Sequence, residues 1–91
     1  MTFGKINYAD FTPLTGMPQD VATAWYGGVK DLVGAEYKPL LYLGNQVVKG
    51  TNYFFIAEET LITHPPIKRV VKVVINSFQG VNEIISVEEI L

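Results

Sequence analysis

From residue 37 to its end the chain is strand-like almost without pause, and it breaks in only three places. The runs "YKPLLYLGNQVV", "TNYFFIAEETLI", "RVVKVVINSF" and "IISVEEIL" carry the β-branched and aromatic residues that suit a pleated surface. Between them stand Lys49-Gly50, the stretch "THPPIK" and the stretch "QGVNE". Pro65-Pro66 cannot enter a central strand, so "THPPIK" is a loop. Two strand runs joined by a short glycine-bearing link read as a hairpin. Four such runs in series predict an antiparallel meander.

One helix precedes them. Pro18 suits the first helical position, where a missing N–H does no harm. Asp20 falls in the first turn, at the positive end of the helix dipole. Val21, Ala24-Trp25, Val29, Leu32 and Val33 recur at spacings of three and four, which marks one apolar face, and Gly34 fits the residue just past the end. Gly27-Gly28 weaken a helix interior by about 1 kcal/mol each relative to alanine. Either the helix breaks there, or it lies so close to the sheet that side chains do not fit. Because the apolar spacing continues through the pair, we prefer the second. Helix first and meander after predicts an α+β class, a single helix packed on a four- to five-stranded antiparallel sheet. Residues 1–17 are an N-terminal arm or an edge strand, and 18–91 form the body of a single domain.

At 91 residues the chain buries only roughly 60 to 65% of its unfolded surface, so no deep substrate cavity fits beside the core. The formal charge is −2, and the only basic cluster, Lys68-Arg69-Lys72, is separated by valines, which speaks against nucleic acid as a partner. There is no cysteine, hence no disulfide, thiolate nucleophile or cysteine metal site. The start "MTFGKINYAD" has neither basic residues ahead of an apolar segment nor such a segment, and no apolar run reaches membrane-spanning length. A cytoplasmic protein without a membrane partner is expected.

Catalytic groups are sparse. His64, the only histidine, stands before two prolines and reads as an exposed loop residue; one histidine without companions does not hold a metal. Ser77 and Ser86 have no nearby base and no nucleophile-elbow glycines. Glu58-Glu59 and Glu88-Glu89 are neighbours on strands, so each pair splits between opposite faces; they read as solvated strand ends. No cofactor or metal is expected, and the chain reads as a non-enzyme. What remains are two hairpin tips. A meander places the first tip, Gln46-Val47-Val48-Lys49-Gly50, and the second, Phe78-Gln79-Gly80, at the same end of the sheet. Either Val47, Val48 and Phe78 project there as an apolar edge that a partner covers, or they tuck into the core.

The stretch Gln46-Val47-Val48-Lys49-Gly50 matches the Gln-x-Val-x-Gly signature of the cystatin superfamily, and Thr51-Asn52-Tyr53 continues the likeness to its cysteine-free stefin branch. The stretch "NSFQGVNE" resembles the stefin second loop through Ser77, Gly80, Asn82 and Glu83. The resemblance covers residues 18–91. It implies a cystatin-like fold, a sheet wrapped around one helix. It also implies a reversible, non-covalent inhibitor of papain-like cysteine proteases. In that family an N-terminal glycine and the two tips form a wedge that occludes the active-site cleft. Carried onto this chain, the protease-binding residues are Gln46, Val47, Val48, Lys49, Gly50, Phe78, Gln79 and Gly80, with Gly4 as the N-terminal glycine. Gly4 lies further from Pro18 than the family spacing, Gly16 lies closer, and Gln79 replaces the usual proline of the second tip. The alternative function is a non-inhibitory cystatin-fold module. It would bind a partner, or form a homodimer, through an apolar second sheet face built from runs such as "VVKVVI" and "YFFIA".

Overall fold

The computed structural model describes residues 6–12 and 17–91, with side chains from residue 17 onward. The elements run β1 (Ile6–Thr12), α1 (Gln19–Val29), β2 (Ala35–Val48), β3 (Gly50–Leu61), β4 (Ile67–Phe78) and β5 (Val81–Glu89). The five strands form one antiparallel sheet in the order β1-β2-β3-β4-β5, with α1 packed on one face. The class is α+β and the arrangement is consistent with a cystatin-like fold. No helix among the described residues is long and apolar enough to cross a membrane.

The core follows from strand alternation. Tyr53, Phe55 and Ala57 of β3 face α1 beside their register partners Ile75, Val73 and Val71 of β4. Val21, Ala24 and Trp25 descend from the helix, and the Trp25 ring meets Phe55 edge to face at 4.9 Å. Near the helix start, the Tyr53 hydroxyl donates to Asp20 Oδ2 at 3.4 Å, and Asn45 donates to the Tyr42 hydroxyl at 2.9 Å. Burial raises the pKa of both phenols.

The glycine pair of α1 is a close-packing device. A Cβ on Gly28 would stand 2.7 Å from Ile75 Cδ1, and one on Gly27 2.6 Å from Asn82 Nδ2. The helix does not break there. It does end sooner than its apolar spacing predicts. Pro18 precedes the helix instead of opening it, and its carbonyl accepts the first helical bond from Ala22. At the other end α1 stops at Val29, so Leu32 (41% exposed) and Val33 (96% exposed) are not part of the buried face. The glycine pair seats the last turns of α1 on β4 and β5, Gly28 over Ile75 and Gly27 over Asn82. Gly34 accordingly caps no helix; its φ of +87° turns the chain into β2.

Two further corrections concern the strands. The second hairpin turn is Gln79-Gly80 alone, since Val81 through Glu83 already pair with β4. Glu59 is no solvated strand end. It is 2% exposed and lies on the helix-side face, where its carboxylate accepts from the Tyr37 hydroxyl of β2 and the Arg69 guanidinium of β4. Arg69 also donates to Glu89 of β5 at 3.1 Å, so one network crosses four strands. Burial alone would raise the Glu59 pKa; the bonds from Arg69 and Tyr37 outweigh it and hold the carboxyl below its ordinary range. The Tyr37 phenol is pushed up to about 12 by burial and by its bond to the Glu59 carboxylate. Glu58, by contrast, faces away from the helix toward Lys68 at 3.8 Å.

Candidate functional site

The two tips lie side by side at one end of the sheet. In the first, Val48 stands opposite Gly50 and leaves Lys49 alone at the apex. In the second, Phe78 stands opposite Val81 across Gln79-Gly80. Gln79 and Gly80 have φ of 50° and 79°, which gives the two-residue turn whose twist matches its flanking strands.

Gly50 answers why a strand-rich run is cut at this point. Its φ is +82°, a left-handed conformation that a side chain disfavours. A Cβ there would also collide with the Ser77 carbonyl oxygen and stand 2.8 Å from Phe78 Cβ. Gly50 thus serves both to bend the chain and to admit a close approach of backbone. The surface approached is the protein's own second hairpin.

Three contacts fasten the tips. Asn76 Nδ2 donates to the Lys49 carbonyl at 3.2 Å and to Asn52 Oδ1 at 2.9 Å. The Lys49 ammonium lies 5.4 Å from the centroid of the Phe78 ring, in cation–π range. Asn52 and Asn76 are register partners, so one side chain of β4 ties the apex of the first tip to the root of the second. The sequence did carry a signal for this: asparagine is depleted in strands, and both asparagines interrupt apolar runs close to their tips.

The signature residues divide between two faces. Val47 points to the helix side and is 56% exposed, while Gln46 and Val48 are half-buried on the far side. Lys49, Gln79 and Gly80 are exposed, and Phe78 is half-buried. The structure thus brings Gln46 through Gly50 together with Phe78 through Gly80. Gly4 lies outside the described residues. The strand that follows it pairs Ile6 with Gln46, so β1 enters the sheet at the tip end.

Away from the tips, the second sheet face has an apolar centre in Phe54, Ile56 and Val74, and Val74 is buried. Charged residues divide it. The Lys72 ammonium lies 5.7 Å from the Phe54 ring centroid, and Lys68 pairs with Glu58. His64 is exposed in the β3–β4 loop. Among the described residues no group of three or more histidine, aspartate or glutamate side chains is placed to hold a metal ion.

No family model, curated protein or solved structure matches the chain.

Proposed function

We propose that the tip end is a wedge that enters the groove of another protein, and that the chain is a reversible, non-covalent inhibitor of papain-like cysteine proteases. The observation that carries this is the fastening of the two tips. Asn76 bonds the Lys49 carbonyl, Gly50 admits the backbone of Ser77, and Lys49 covers Phe78. Groups already held in place lose little freedom on docking, so more of their contact energy appears as affinity. Val47 supplies exposed apolar surface and Gln79-Gly80 an exposed backbone turn. The cystatin-like signature, Gln46 to Gly50, falls on the wedge itself. On this reading the protein needs no cofactor and does no chemistry of its own.

Self-association through the second sheet face has less support. Lys68, Lys72 and Glu58 stand among its apolar residues, and Lys72 already occupies a side of Phe54.

A tight-binding titration of papain tests the proposal. Activity should fall in proportion to added protein, and mass spectrometry should recover the inhibitor intact. A papain that keeps full activity at saturating concentrations of this protein rejects the inhibitor reading.

A further inference from the structure

On the second sheet face, beside the second tip, lies a cleft of about 330 Å³ lined by Asn76, Phe78, Gln79, Val81 and Glu83. Register explains why these residues meet. Asn76 pairs with Glu83 and Phe78 with Val81, and the members of each pair point the same way. The walls are thus an aromatic ring and an exposed valine, with a carboxylate and an amide behind them.

The amide's orientation is fixed. A carbonyl can only accept, so the end of Asn76 that faces the Lys49 carbonyl must be its NH₂ group. That group also serves Asn52, and both partners lie toward β3. The Asn76 oxygen is therefore turned away from the Lys49 carbonyl, and the register partner of Asn76 on β5 is Glu83. Glu83 forms no ion pair among the described residues; the carboxylates that do are Glu58, Glu59 and Glu89. Lys49, the cation at the tip, lies over Phe78 instead. The cleft thus offers the Glu83 carboxylate as an ion-pair partner, the Asn76 and Gln79 amides as neutral hydrogen-bonding groups, and the Phe78 ring, which already carries the Lys49 ammonium at 5.4 Å.

That set fits a guanidinium, which is planar, carries several fixed donors and stacks on aromatic rings. We propose that this cleft receives an arginine side chain of the protein on which the tips dock, as a specificity anchor beside the wedge. The proposal rests on the wedge reading for its partner, but the cleft can be tested without it.

The probe is N-acetyl-argininamide, titrated into isotope-labelled protein and followed by two-dimensional NMR. Its uncharged isostere, N-acetyl-citrullinamide, is the control. Saturable shifts should concentrate at Asn76, Phe78, Val81 and Glu83, including the Asn76 side-chain NH₂. The arginine probe should bind about fivefold tighter than the citrulline probe, the size of one partly exposed charge pair. Glu83→Gln should remove that difference. Glu88→Gln, on the same strand and face, should keep it. Equal binding of the two probes, insensitivity to Glu83→Gln, or shifts spread over all surface carboxylates would each overturn the proposal. So would N-acetyl-lysinamide matching the arginine probe. If the protein inhibits papain-like proteases, Glu83→Gln should weaken inhibition of at least one of them about fivefold at low salt and less at high salt. No change for any susceptible protease would overturn the partner half. Failure of wild-type protein to inhibit at all would reject the wedge and leave the probe titration to decide the cleft.

Discussion

The two ends of the β3–β4 ladder are fastened by opposite means. At the far end Glu59 is buried and charged, held by Tyr37 and Arg69 with Glu89 behind them. At the tip end the fastening is neutral or exposed: one asparagine amide, one glycine fit and one lysine over a ring. A network around a buried carboxylate is directional and unforgiving, because Glu59 stays charged in the core only while Arg69 and Tyr37 both hold it. The tips have no such option. Their groups must stay accessible, so rigidity has to come from backbone geometry. The far end therefore governs whether the protein stays folded, and the tip end governs what it can touch.

The largest effect should come from the far end. Glu59→Ala leaves the Tyr37 hydroxyl without its acceptor and Arg69 with Glu89 alone, and the loss of two bonds to a buried carboxylate should lower unfolding stability by about 3 kcal/mol in urea titrations. The network also sets the pH response. The folded-state pKa of Glu59 is depressed, so its contribution is present above the unfolded carboxyl value and is lost as pH falls through the folded one. The Tyr37 pKa is raised from 10.0 to about 12, so its contribution is complete below pH 10 and fades as pH rises toward 12. Stability measured against pH should sag at both extremes. The acid limb should flatten in Glu59→Gln. An unchanged acid limb would show that the network does not carry the acid sensitivity.

Next in size is Gly50→Ala. It forces a side chain into a left-handed conformation and into the Ser77 carbonyl, and should lower stability by about 2 kcal/mol. Papain inhibition should weaken further than stability alone explains, because the tips must part to make room. Combined with Glu59→Ala the losses should add within about 0.5 kcal/mol, since the sites share no partner. A larger coupling would mean that the two ends are not independent. Asn76→Ala removes both bonds of the staple and should lower stability by about 1 kcal/mol, with faster amide exchange confined to residues 47–51.

The fold was readable because periodicity and turn chemistry agreed. The four runs after residue 36 are rich in β-branched and aromatic residues, and Lys49-Gly50, "THPPIK" and "QGVNE" separate them. Which of two explanations held for Gly27-Gly28 could be chosen from Val29 continuing the apolar face, but where α1 ends could not. Leu32 and Val33 keep the helical spacing, yet the helix ends at Val29 and both are exposed. Glu59 was misread for a related reason. Its sequence neighbour Glu58 is the same residue type, and alternation says that one of them faces the helix without saying which partners await it. Tyr37 and Arg69 reach it through register, which no local pattern encodes. At the tips the residues themselves were visible, and Asn52 and Asn76 stand out as asparagines in strand runs, but that Asn76 bonds the Lys49 carbonyl follows only from register.

The smallest effect tests why the tip end tolerates strain at all. Gln79 sits at φ 50°, where a long side chain is out of place and asparagine is at home. Asn-Gly is the preferred pair for such a turn. Gln79→Asn should therefore raise stability by about 0.5 kcal/mol, read as a shifted urea midpoint with unchanged slope. If Gln79 serves only the turn, inhibition should improve or stay level in step with that gain. If its exposed side chain touches the docked protein, stability and inhibition should move apart, the first up and the second down. A rise in both would place the contacts of the second tip on Phe78 and the Gly80 backbone alone. The far end offers no counterpart, for Glu59 is buried and has no contact surface to trade against folding.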